Sequence, residues 1–241
     1  MSGSAGPPGL SATGTAPTWS WGAGSHPTPS PLGEPPTARH RPARGIIGGT
    51  FDPPHIGHLI LAEFARAELE LSEVVFIPAG QPPHKRGREV QAVEDRLAMV
   101  RLSIATNPHF ALSKIDIERS GPSYTVETLR LLRQEWGETV EIYFIMGLDS
   151  LVDLPTWHQP ARLIQLCRLA VMARPGYQVD MAALERAVPG VADRVVFVPA
   201  PLIGISSTNI KERVRKGDTI AYLVPRAVEA YIHDHRLYLD E

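Results

Sequence analysis

A chain of 241 residues, 43% hydrophobic and 21% charged, has the make-up of one sizeable α/β domain or two small ones. Its net charge of −2 gives no global attraction to nucleic acid, so any anion site must be local. A lone cysteine, Cys167, excludes an intramolecular disulfide and a multi-cysteine zinc site, no apolar run nears the ~20 residues of a membrane span, and no charged-then-apolar leader stands at the start, so the cytoplasm is the default compartment.

Residues 1–44 are rich in Pro, Gly, Ser, Thr and Ala and lack sustained apolar periodicity. Such a segment cannot bury enough surface to offset its ordering entropy, and it is expected to be a disordered extension. The folded domain, residues 45–241, opens with Gly45-Ile46-Ile47 as the end of a short buried strand. The strand breaks at Gly48 and Gly49, whose missing Cβ atoms let a ligand come close to the backbone. An Asp52-Pro53-Pro54 turn then leads into a helix with Leu59, Leu61, Ala62, Phe64, Ala65 and Leu69 on its apolar face. A helix N-terminus attracts anions through its free N–H groups and its dipole. His55 and His58, three apart, add donors there and point to phosphate; a shared metal ion and two unrelated surface histidines are the alternatives.

Residues 73–78 read as a second buried strand, which makes a right-handed parallel βαβ unit. The loop after it carries His84 and Lys85 and leaves from the strand end where open α/β sheets bind ligands. A helix is expected over 94–105, a strand over 110–117, and another helix with Ser123 as N-cap and Thr125 in its opening. Residues 140–146 form a strong strand closed by Gly147, with Asp149 just beyond, and begin a second mononucleotide-binding half. Trp157-His158 follows in a Pro-containing loop, where the indole is either a stacking platform for a flat ring or core packing. A short helix ends near Leu166; a strand over 168–173, a helix over 180–187 and a strand over 195–198 come next, with Cys167 expected in the core. Ser206, Ser207 and Thr208 open a helix with Lys211 one turn on, a pattern that fits either phosphate contact or capping alone. A last helix spans 225–234, with Pro225 in its first turn. Together these elements give a Rossmann-like doubly wound parallel sheet as a single α/β domain.

The stretch GGTFDPPHIGH, residues 48–58, resembles the GxFDPxHxGH signature of nucleotidylyltransferases that join a nucleotide to a phosphate. Residues 205–211, ISSTNIK, resemble the ISSTxIR phosphate motif of the same superfamily, with Lys211 where the pattern has Arg. Lysine keeps the charge but loses the planar fork, so Arg213 or Arg215 could share the task. Pro82-Pro83-His84-Lys85, Ser123-Tyr124-Thr125, Gly147-Leu148-Asp149-Ser150 and Thr156-Trp157-His158 are similar to segments of the nicotinate-mononucleotide adenylyltransferases. The likeness runs from about Gly45 to Tyr238.

That resemblance implies adenylyl transfer from ATP to nicotinate mononucleotide, giving nicotinate adenine dinucleotide and pyrophosphate, with Mg²⁺ carried on the ATP phosphates rather than in a protein cage. It implies that His55, His58 and Lys85 stabilise triphosphate charge, that Gly48, Gly49, Thr50 and Phe51 line the nucleotide cradle, and that Ser207, Thr208 and Lys211 hold departing pyrophosphate. His84, Thr125, Asp149, Trp157 and His158 fall to the pyridine nucleotide. No nucleic acid or membrane partner is implied, and a homo-oligomer is left open. Three alternatives remain: nicotinamide mononucleotide or another phosphate-bearing small molecule as acceptor, a non-catalytic nucleotide-binding relative, and a dinucleotide-dependent oxidoreductase. The last would want GxGxxG after the first strand and an acidic residue at the end of the second, where this chain has GGTFDPP and Pro78.

Overall fold

A computed structural model describes residues 42–82, 90–173, 179–201 and 203–239. The expected disordered extension, through residue 41, and the His84-Lys85 loop lie outside the described residues. Six strands form one sheet: β1 Ala43–Gly49, β2 Glu73–Pro78, β3 Phe110–Leu112, β4 Glu141–Gly147, β5 Arg168–Ala173 and β6 Val195–Pro199. Every pairing is parallel and the order is β3-β2-β1-β4-β5-β6, a doubly wound Rossmann-like arrangement. The helices are α1 Ile56–Glu68, α2 Val93–Ile104, α3 Ile115–Glu118, α4 Thr125–Trp136, α5 Leu148–Val152, α6 Pro160–Leu166, α7 Met181–Ala187, α8 Ser207–Arg215 and α9 Arg226–Asp234. Among the described residues no helix is long and apolar enough to cross a membrane.

Strand composition explains the layering. Val74 to Ile77 and Ile142 to Met146 are buried without a break, as strands covered on both faces require. Alternate residues go to opposite faces. Ile46 and Phe144 pack with Leu129 of α4 and Leu163 of α6, while Ile47, Tyr143 and Ile145 pack with Ala62 and Ala65 of α1 and Val100 of α2. A third apolar cluster joins Met99 of α2 to Ile210 and Val214 of α8, Val228 and Ile232 of α9, and Tyr238. It seats the last two helices beside the C-terminal end of β1. Cys167 is buried, as expected, and burial pushes its thiol up to about 12.

Several local expectations change. The first strand starts at Ala43 rather than Gly45; Arg44 pairs in register with Glu73 and ion-pairs with it at 3.0 Å. The strand expected over 110–117 stops at Leu112. There the Ser113 N–H gives a last bond to Phe76 O, and the Ser113 hydroxyl accepts from the Ile115 N–H at 3.3 Å, turning the chain into α3. Ser123 does not cap α4. Its hydroxyl accepts from the Gln81 N–H at 3.1 Å and its own N–H donates to Gln81 O at 2.9 Å, so Tyr124 takes the cap position. Pro225 is likewise the cap residue of α9 instead of its first helical residue.

Candidate active site

Strand order reverses between β1 and β4, and ligands of such sheets bind beyond the C-terminal strand ends at that point. A cleft opens there. Gly48, Gly49 and Thr50 form its floor, Ile77 and Ala79 continue it from β2, and Thr125 and Thr128 of α4 stand on one side. Trp157, half-buried, meets the Phe144 ring edge-on with centroids 5.7 Å apart, and His158 stacks on Tyr124 at 4.2 Å. Thr125 is the first residue of α4, and N–H groups of a first helical turn have no intrahelical acceptor. Buried Asp116 reaches the same cleft and accepts from the Thr128 hydroxyl at 2.6 Å and from Arg119 Nε at 2.9 Å. Gly80 is required nearby, since a Cβ on it would stand 2.5 Å from the Asp116 carbonyl oxygen.

The second part of the site is the turn that follows β1. His55 is the N-cap of α1 and His58 the third residue of that helix. The His55 N–H donates to His58 Nδ1 at 3.1 Å, the His58 N–H donates to His55 O at 2.9 Å, and the two rings stack 3.7 Å apart. Accepting at Nδ1 puts the proton of neutral His58 on Nε2, which makes that nitrogen a donor. Burial lowers His55 to about 4; burial, and then the neighbouring His55, hold His58 well below the ordinary range. Both imidazoles are therefore neutral at pH 7. His55 Nδ1 is buried with no hydrogen-bond partner among the described residues. Gly57 lies close against this pair: a Cβ there would stand 3.0 Å from His55 Nδ1, tighter than ordinary contact.

The third part comes from the far end of the chain. α8 is capped by Ser206, which accepts from the Asn209 N–H at 3.1 Å, and its first residue, Ser207, donates to Pro53 O at 2.9 Å. The N-termini of α1 and α8 thus meet at one turn. Lys211 reaches back to Asp52, with Nζ 3.0 Å from Oδ2, and the Tyr238 hydroxyl donates to Asp52 Oδ1 at 2.9 Å. Buried Arg96 ties the backbone of both strand ends by donating to Thr50 O at 2.9 Å and Ala79 O at 2.8 Å.

Measured against the sequence expectations, Gly48, Gly49, Thr50, Thr125, Trp157 and His158 gather in the cleft, while His55, His58, Ser207 and Lys211 gather at the turn. The Phe51 ring is turned into the core: it is 2% exposed, packed against His58 and Phe76, with φ at +52°. Thr208 is exposed at the start of α8; Asp149 is exposed in α5 and does not line the cleft. Lys211 is committed to an ion pair, and Arg213 spends its Nε on Thr219 O at 2.7 Å. The sequence reading gave no role to Asp52, Arg96, Asp116 or Tyr238. Arg96 had left a trace, as a cation on the helical stripe shared with Met99 and Val100.

The cytidylyltransferase-like family matches residues 46–213. The probable nicotinate-nucleotide adenylyltransferase of Thermomicrobium roseum is 54% identical over 194 residues, covering 80% of this chain and 90% of that protein. The protein of the same name from Dehalococcoides mccartyi strain CBDB1 is 45% identical over 195 residues, covering 80% and 96%. Among solved structures, the Plasmodium falciparum nicotinic acid mononucleotide adenylyltransferase complexed with NaAD superposes with a TM-score of 0.67 over 82% of this chain and 97% of that one. Its identity is 17%, so that likeness speaks for the fold alone.

Proposed function

The chain belongs to the nicotinate-nucleotide adenylyltransferases, within the cytidylyltransferase-like family, and from that membership we propose that it transfers the AMP group of ATP to nicotinate mononucleotide. A phosphate oxygen of the acceptor attacks the α-phosphorus of ATP. The new P–O bond forms as the bond from that phosphorus to the bridging oxygen breaks, and pyrophosphate leaves with the electron pair. The products are nicotinate adenine dinucleotide and pyrophosphate. No protein nucleophile is needed, and the enzyme's contribution is position and charge stabilisation.

The observation that carries this reading is the meeting of two helix N-termini, α1 and α8, at the turn after β1, beside an aromatic-walled cleft at the switch point. Helix N-termini favour polyphosphate, and the cleft suits a flat ring with a ribose phosphate. In this proposal His58 donates from Nε2 to phosphate oxygen and His55 supports it. Gly48, Gly49 and Thr50 line the path of the reacting phosphates. Ser207, Thr208 and Lys211 hold the leaving pyrophosphate, and Lys85 joins His55 and His58 in stabilising triphosphate charge. Mg²⁺ is assigned to the ATP phosphates, because it dehydrates reluctantly and is bound through substrate phosphates rather than in an all-protein cage. When bound, the ion spreads the charge of the triphosphate.

Nicotinate is favoured over nicotinamide by donors at the ring. The first-turn N–H of Thr125 and the N–H of His158 can both serve a carboxylate, whereas an amide presents an NH₂ to one of them. An unpaired buried donor costs ~1–3 kcal/mol, and the donor that stays paired bonds a charged oxygen more strongly than a neutral one, which together give about 10²-fold preference in kcat/KM. Steady-state kinetics with the two mononucleotides at equal ATP test this. Parity or an amide preference would overturn the pocket assignment; failure to release pyrophosphate with either acceptor would overturn the reaction.

A further inference from the structure

Asp52 is the charged group about which the turn is assembled. Its side chain is 0% exposed, with Lys211 on one oxygen and the Tyr238 hydroxyl on the other. Tyr238 lies 186 residues further along the chain, is 6% exposed and holds φ at +66°. A non-glycine residue in that left-handed region is strained, and such strain persists only where the surroundings over-determine it. Here they do. The ring sits in the cluster with Ile210 and Ile232, and the hydroxyl lies 3.9 Å from Met99 Sδ as well as on Asp52. Lysine is a point charge on a flexible stem, useful to a reacting phosphate only where it is held. Asp52 takes one of its three N–H donors, and Ser207 pins the backbone of the same helix to Pro53.

We infer that Tyr238 is a positioning residue for adenylyl transfer: through Asp52 it fixes the ammonium of Lys211 at the turn shared with His55 and His58. This rests on the reaction proposed above. Loss of the hydroxyl leaves Asp52 Oδ1 short of a donor, frees the carboxylate to turn, and lets Lys211 wander. Lys211→Arg keeps a partner for Asp52 and should keep the dependence on Tyr238.

The test compares wild type, Tyr238→Phe, Lys211→Met and the double variant, each well below its melting transition. Tyr238→Phe removes one oxygen and keeps the ring packing. It should lower kcat/KM for ATP about tenfold, the lower end of the cost of a buried unpaired charged group, with KM for the pyridine substrate unchanged within about twofold. In the Lys211→Met background the same change should have no further effect, since the group it positions is gone. Calorimetric titration with inorganic pyrophosphate should show the same loss and the same non-additivity. A merely structural role would lower the melting temperature of both backgrounds and give additive effects, and additivity, or full kcat/KM in Tyr238→Phe, overturns the inference. If wild type makes no dinucleotide yet the pyrophosphate coupling appears, the reaction falls and the positioning role stands. If dinucleotide is made and the coupling is absent, the positioning role alone falls.

Discussion

Gly57→Ala separates the requirement for the histidine pair from the requirement for a stable helix. Gly57 is the second residue of α1 and its φ is not in the left-handed region, so alanine meets no backbone strain. On propensity alone the change should stabilise the helix by up to about 1 kcal/mol. The added Cβ, however, would lie 3.0 Å from His55 Nδ1 and 3.1 Å from His55 Cε1, where ordinary contact begins at 3.4 Å. The ring must retreat by a few tenths of an ångström, and buried side chains are packed closely enough that such a shift is passed on to their neighbours. The ring is 8% exposed and already stacked 3.7 Å from the His58 ring, so the displacement passes to the donor itself. Misplacement by ~1 Å costs about 10²-fold in rate, so a few tenths should cost about tenfold in kcat. The expected signature is a melting temperature equal to or above wild type, by circular dichroism, with kcat for pyrophosphate release down about tenfold. Full kcat with an unchanged melting temperature would refute the reasoning that the pair must keep its stacking.

Stability should respond to pH through the same residues. Burial lowers His55 to about 4 and His58 well below 6.5, so their neutral forms stabilise the fold fully above pH 6.5, and that stability is lost as pH falls toward the folded-state values. The slope is roughly 1.4 kcal/mol per pH unit for each group, and His55→Gln should flatten the melting-temperature profile between pH 6.5 and about 4; an unchanged profile would contradict it. Activity should be level between pH 6.5 and 8 as far as these imidazoles are concerned, since neither gains a proton there. Trp157→Ala should depress kcat/KM for nicotinate and nicotinamide mononucleotides alike, because stacking does not sense the substituent; a loss confined to one would place the indole at the substituent instead of the ring face. Removal of residues 1–41, which precede the first strand residue Ala43, should leave melting temperature and activity nearly unchanged, and a fall of many degrees would show that the segment packs on the domain.

How legible each part was depends on how local its cause is. The run from Gly45 to His58 could be read in outline because a buried strand, a proline turn and a helix start are each written in adjacent residues, although Gly48 and Gly49 do not break the strand as expected: they continue β1 in register with Ile77 and Pro78. β4 and β5 could be read because strands covered on both faces are continuous apolar runs. The stretch 110–117 misled because Phe110, Leu112, Ile115 and Ile117 fit a strand, while one hydroxyl, that of Ser113, decided for a turn. Ser123 had the chemistry of a cap, but a partner 42 residues away claimed it. Lys211 and Tyr238 meet Asp52 across 159 and 186 residues, and no periodicity encodes contacts at such separations. Phe51 lies inside a recognisable motif, yet its side chain belongs to the core, which the motif alone does not reveal.

In the proposed reaction the phosphate of a pyridine mononucleotide attacks the α-phosphorus of ATP, without a protein intermediate. ATP carrying a radiolabel at either the α- or the γ-phosphorus, mixed with nicotinate mononucleotide, Mg²⁺ and the protein, tests it in one chromatographic separation. The α-label should appear in the dinucleotide and the γ-label in pyrophosphate, in equal amounts, with none retained on denatured protein. Recovery of γ-label on the mononucleotide, of α-label as free AMP, or of either label bound to the protein would contradict it.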